Sequence, residues 1–98
     1  MLLLSVLLWA HEGRREDLAD HEVAVLALLP EHGGRLVTRV RRDDESAGPD
    51  EVQLIEFTDD DALASYLADP RRTARTTQRD AAIARTDITR VVKVTPRG

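Results

Sequence analysis

The chain has 98 residues, of which 42% are apolar and 33% charged, and its 14 basic and 18 acidic side chains leave a net charge of −4. That is ordinary globular composition with material for one modest core, so a single domain over 1–98 is expected and disordered or collagen-like chains are excluded. With no cysteine, a disulfide framework, a thiolate metal site and a cysteine nucleophile are excluded as well.

The acidic balance and the scarcity of aromatics, one each of Phe, Trp and Tyr, argue against nucleic acid as a partner. Residues 2–10 open with a leucine-rich run. A secretory leader wants a basic start and a small-residue cleavage site, and a membrane helix wants about 20 apolar residues. Neither pattern is present, so the run reads as a strand apolar on both faces. No membrane partner and a cytoplasmic location are expected.

Residues 15–32 read as one helix, with Leu18, His21, Val25, Leu28, Leu29 and His32 on a shared face. Pro30 is awkward in its last turn, and Gly33-Gly34 ends it. Residues 35–42 read as a second strand. Asp43 to Asp50 is a polar turn with Gly48-Pro49 punctuation, and residues 51–57 read as a third strand. Thr58 is the expected cap of the next helix, and Asp69-Pro70 is expected to break it and restart a piece running to about Arg85. Ala74, Gln78, Ala81 and Ala82 are that piece's expected buried face. Residues 88–94 read as the last strand, and 96–98 as a tail.

The order βαββαβ, with right-handed crossovers, predicts an α+β, ferredoxin-like sandwich: a four-stranded antiparallel sheet with its helices on one face. The strands carry apolar residues toward both faces. A bare apolar face of that size is rare on monomers. A second copy packed sheet to sheet is the simplest cover, so a homodimer is expected.

The strings Glu31-His32-Gly33-Gly34-Arg35-Leu36, Val52 to Phe57, Asp69-Pro70, and Arg79-Asp80 through Asp87-Ile88 resemble the small dimeric α+β barrel superfamily. Within it the pattern is similar to a widespread bacterial domain family of unknown function. EthD-like proteins, antibiotic-biosynthesis monooxygenases and muconolactone isomerases are its cousins. The resemblance implies a pocket between sheet and helices in each subunit. It also implies chemistry of the cofactor-independent isomerase, cyclase or oxygenase kind, with no cofactor expected.

His21, on an otherwise apolar stripe, is the leading candidate for a general acid or base, beside its reading as a core histidine. Glu22 or Asp17 would orient its ring. Trp9 and Tyr66 would wall an apolar cavity for a small apolar or aromatic metabolite. Glu56, on an apolar strand face, reads as a cross-strand partner of Arg39 or Arg41, or as a pocket carboxylate. Arg71, Arg75 and Arg79 form a stripe that could take a carboxylate or phosphate, or simply be solvated. His32 reads as a helix-end residue facing terminal carbonyls. His21 and His32 stand roughly 16 Å apart along a continuous helix axis, so no metal site is expected. No phosphate-binding Gly-rich loop is present, and Ser5, Ser46 and Ser65 lack a nucleophile context. Two functions follow: a cofactor-independent small-molecule enzyme using His21, or a ligand-binding or dimerisation module without turnover.

Overall fold

The computed structural model describes residues 1–96; Arg97 and Gly98 of the expected tail lie outside the described residues. The elements are β1 (Leu2–Ala10), α1 (Arg15–Leu26), a 3₁₀ turn (Leu29–His32), β2 (Gly34–Arg41), β3 (Glu51–Phe57), α2 (Asp60–Leu67), α3 (Pro70–Thr73), α4 (Thr76–Ala82) and β4 (Ile83–Arg90). The strands form one sheet in the order β2-β3-β1-β4, and every neighbouring pair is antiparallel. It follows that β1 and β2 run parallel with β3 between them, and β3 and β4 run parallel with β1 between them. These two interleaved crossovers are the ferredoxin-like fold.

Alternation along β1 and β3 decides what faces the helices. Leu2, Leu4, Val6 and Leu8 of β1, and Ile55 and Phe57 of β3, are buried beneath the helical layer with Leu18, Leu29, Tyr66 and Ile83. The intervening residues Leu3, Leu7, Val52 and Leu54 point to the other face and are half-buried. Apolar side chains do project from both faces of the sheet.

Several boundaries differ from the sequence reading, each for a local reason. The helix over 15–32 stops at Leu26, because Pro30 cannot donate to the carbonyl four residues back. Pro30 instead opens the 3₁₀ turn. The cap of α2 is Asp59, whose carboxylate accepts from the Ala62 amide at 2.8 Å, rather than Thr58. Asp69 caps α3 with Pro70 behind it, as the Asp-Pro pair suggested. The following piece is split into α3 and α4 and ends at Ala82, not near Arg85. Of its four expected buried residues only Ala82 is buried. Ile83 is extended and buried, and β4 spans 83–90 instead of 88–94, with Val92 and Val94 exposed. The β-branched Ile83, Thr86 and Ile88 favour the strand more than the neighbouring alanines favour helix.

Gly33 closes the 3₁₀ turn in the left-handed region, at φ 66°. A Cβ there would stand 2.9 Å from Thr58 Oγ1. Gly33→Ala should therefore lower stability by about 1–2 kcal/mol from backbone strain alone. Thermal unfolding should show this as a melting point lower by at least several degrees, at about 4–8 °C per kcal/mol for a domain of this size. An unchanged melting point would mean that the turn relaxes freely.

Candidate functional site

β2 contains a bulge: its register against β3 passes from Leu36 opposite Ile55 to Thr38 opposite Leu54. The extra residue moves Arg39 to the helix-facing side, opposite Gln53, and leaves Arg35 on the other face, opposite Glu56. The cross-strand pair expected for Glu56 therefore forms with Arg35, at 2.9 Å, and not with Arg39 or Arg41. Arg39 instead grips the fully buried Glu51 with two hydrogen bonds of 2.8 and 2.9 Å, and donates a third to the carbonyl of Ala19.

This pair anchors a polar chain that runs into the space between sheet and helices. The Gln53 side-chain amide donates one hydrogen to Glu51 Oε2 at 2.6 Å and the other to Glu22 Oε1 at 2.8 Å. Glu51 has its cation in Arg39. Among the described residues Glu22, buried on α1, forms no ion pair with Arg or Lys; Arg72 and Arg39 act on it only from a distance. Burial pushes its carboxyl above the ordinary value, with the Gln53 hydrogen bond pulling back and the charge on Glu51 adding to the rise.

Glu22 faces a cavity of about 70 Å³ between the helices and the sheet. Its floor is Leu4, Val6 and Ile55, and Phe57 and Tyr66 form one wall. It is rimmed by Leu67 and Ile88, which are 42% and 57% exposed and mark the opening to solvent. Tyr66 packs against Phe57 at 5.7 Å between ring centres and donates its hydroxyl to the carbonyl of Val25 at 3.1 Å. Two guanidinium groups, Arg72 and Arg79, also line the cavity.

His21 is buried beside Glu22 but borders a different depression, between α1 and α4, lined by Asp17, Arg75 and Gln78. Its Nδ1 accepts from Arg75 Nε at 3.4 Å, and its Nε2 lies 3.8 Å from Glu22 Oε2. Burial and then the positive charge of Arg75 lower its pKa from 6.5 to about 4. In neutral solution the ring is uncharged, with its proton on the side toward Glu22. The unfolded chain protonates this ring at higher pH than the native one. Stability from this group is therefore present above pH 6.5 and lost as pH falls toward 4. His21→Leu should flatten the decline in stability over that interval, as measured by denaturant unfolding at a series of pH values. Equal slopes for the two proteins would place the ordinary titration of a wet histidine at this site.

Of the residues singled out from sequence, Glu22 and Tyr66 line the cavity, and His21 stands behind Glu22. Trp9 and Glu56 lie on the opposite face of the sheet, because their positions alternate with the buried ones. Trp9 donates to the Ala47 carbonyl at 3.2 Å under the guanidinium of Arg85, so it walls no cavity there. Asp17 pairs with Arg14 on the surface. Gln53 and Glu51 were not singled out; Arg39 was read as a partner of Glu56 and not of Glu51, and Arg72 only as a neighbour of the arginine stripe. The alternation of Glu51 and Gln53 with Ile55 and Phe57 was the available signal for the first two.

His32 also differs from expectation. Its Nε2 donates to Asp69 at 2.7 Å, and its Nδ1 shares a hydrogen bond of 2.6 Å with the Ser65 hydroxyl, so it ties the 3₁₀ turn to α2 and α3 rather than capping carbonyls. Arg71, and next His32, hold the Asp69 carboxyl well below the usual range. Among the described residues no cluster of His, Asp and Glu is placed to hold a metal ion, and no helix is long and apolar enough to cross a membrane.

No protein-family model matches the chain, and no curated protein matches it in sequence. Solved structures do. An uncharacterised NIPSNAP domain protein from Burkholderia xenovorans is similar at TM-score 0.73 and 16% identity, over 99% of this chain and 100% of that one. A candidate antibiotic biosynthesis monooxygenase from Nitrosomonas europaea is similar at TM-score 0.76 and 9% identity, over 97% and 100%. A dimeric protein of unknown function with a ferredoxin-like fold from Bacteroides fragilis is similar at TM-score 0.71 and 11% identity, over 92% and 93%. Likeness at such identities is likeness of fold, and it agrees with the topology above.

Proposed function

We propose that this chain binds a small, largely apolar molecule in the cavity between sheet and helices, and that Glu22 transfers a proton to or from it without a cofactor. The observation that carries this reading is the placement of Glu22: a buried carboxyl that forms no ion pair with Arg or Lys among the described residues, facing a largely apolar cavity. A carboxyl held above its ordinary pKa is a better base when ionised and a usable acid when protonated. His21 stands uncharged behind it, 3.8 Å from the carboxyl and too far to hydrogen-bond it, a neighbour and not the proton carrier. Tyr66 shapes the wall. The reactions that need no more than this are isomerisation and cyclisation through an enol. The Nitrosomonas neighbour of the same fold is described as a candidate antibiotic biosynthesis monooxygenase.

The test is exchange of α-hydrogens for deuterium in small carbonyl compounds (acetone, butanedione and pyruvate), followed by proton NMR. The protein should accelerate exchange in at least one of them above buffer. Binding seen as methyl shifts at Leu4, Val6 and Ile55 without any acceleration would favour the second reading, a ligand-binding module without turnover. One observation favours that alternative: with His21 uncharged near neutrality, Glu22 has no second proton-transfer group beside it.

The open face of the sheet supports a further part of this reading, a homodimer formed sheet to sheet. Leu3, Leu7, Val52 and Leu54 make a half-buried apolar strip there, and the Bacteroides neighbour is described as dimeric. Sedimentation at micromolar concentration should give twice the chain mass, and Leu54→Arg, which sets a charge in the middle of the strip, should give monomers. A wild-type monomer under the same conditions would remove this part of the proposal.

A further inference from the structure

We infer that the ligand of the cavity is a small monocarboxylate, with its carboxylate held by Arg72 and Arg79 and its hydrocarbon part lying against the floor of the sheet. The inference rests on the cavity reading above and adds the chemical class.

It starts from how this chain uses its arginines. Arg35, Arg39, Arg42, Arg71, Arg85 and Arg90 each pair with a carboxylate within 3 Å. Arg72 takes part in no ion pair among the described residues, and its Nε is buried without a hydrogen-bond partner, as is that of Arg42, which has Asp50 as its counter-ion. A buried N–H left unmatched costs stability, so its retention calls for an acceptor. The guanidinium lies over the Tyr66 ring, 4.9 Å from its centre, which fixes its plane at the cavity wall. Arg79 lines the same space. It donates to the Thr86 hydroxyl at 3.2 Å, and its other terminal nitrogen has only the exposed Asp80, at 3.6 Å. Arg75 also lacks a carboxylate, but it is engaged with His21 and faces the other depression.

The cavity therefore presents two positive groups and one carboxyl, and burial favours the neutral form of that carboxyl. An anion fits this balance. Two planar forks suit the two oxygens of a carboxylate, which can accept paired hydrogen bonds from each. The leucine, valine and isoleucine floor suits hydrocarbon, and a phosphate would bring a second negative charge toward Glu22. The bound carboxylate would leave the adjoining carbon near Glu22, where a proton can be exchanged.

The experiment is a methyl NMR titration with three acid and amide pairs: acetate and acetamide, isobutyrate and isobutyramide, benzoate and benzamide. The size series brackets a cavity of this volume. At least one acid should bind about tenfold or more tighter than its amide, the size of effect expected for charge-assisted hydrogen bonds. Arg72→Gln should bring acid and amide to equal affinity, and Arg72→Lys should keep part of the preference. Acids and amides bound equally well would overturn the carboxylate inference and leave the cavity reading standing. No binding by any of the six compounds would remove the cavity reading, and this inference with it. A preference that persists in both Arg72→Gln and Arg79→Gln would place the anion site elsewhere and overturn the assignment.

Discussion

Arg39→Ala should destabilise the fold by about 3–5 kcal/mol, because it leaves a buried charge without its counter-ion. Glu51 is 0% exposed, and apart from the Gln53 amide all its hydrogen bonds come from Arg39. Small domains are stable by only about 5–15 kcal/mol in total, so the variant should be partly unfolded well below the wild-type midpoint in urea. The double variant Arg39→Met, Glu51→Leu separates charge from packing. Replacing both partners by apolar groups of similar size is often neutral, so it should recover most of the loss. If Arg39→Ala unfolds like the wild type, Glu51 is reached by water in the native protein. The polar chain leading to Glu22 would then lack its anchor.

Glu22→Gln should reduce any proton-exchange activity by about 10²–10⁴-fold, the usual contribution of a positioned acid or base. Ligand binding should change little, since Gln keeps the shape. The same variant tests the electrostatics without a substrate. The native carboxyl titrates above its ordinary 4.5 and the unfolded one near it, so the native state binds more protons in between. Stability from this group is full below the unfolded value and falls as pH rises through the native one. Glu22→Gln removes that fall. Its stability relative to wild type should climb from pH 4.5 upward and then level off, as read from urea unfolding. A flat difference would mean that Glu22 is solvated like a surface carboxylate.

The architecture was legible because it follows from alternation and element order. β1 shows both its faces in the run from Leu2 to Trp9, and the Asp69-Pro70 pair marks a helix start without outside help. What sequence alone hid was register. One bulged residue at Val37 put Arg35 and Arg39 on opposite faces, and so set the partners of Glu56 and Glu51. No local signal in Arg35 to Arg41 marks it. The start of β4 was hidden too, at Ile83, where helix-forming alanines and β-branched residues meet. For the site, Glu22 was picked out as a partner for the His21 ring and Tyr66 as a large aromatic wall. Trp9 and Glu56 were grouped with them by chemical type, although parity along their strands puts them on the far side. His21 drew notice as a histidine near neutral pKa. Its neighbours Arg72, Arg75 and Arg79 come from elements some 50 residues later in the chain, and together with burial they keep it uncharged. Arg72 looked like one more solvated arginine until its neighbours were placed.

The most direct measurement is the titration of the Glu22 side-chain carboxyl by carbon NMR, with and without isobutyrate. The midpoint should lie above 4.5 in the free protein and move when the acid is added. A midpoint at or below 4.5 that ignores the acid would show a carboxyl in water, with no enclosed site around it.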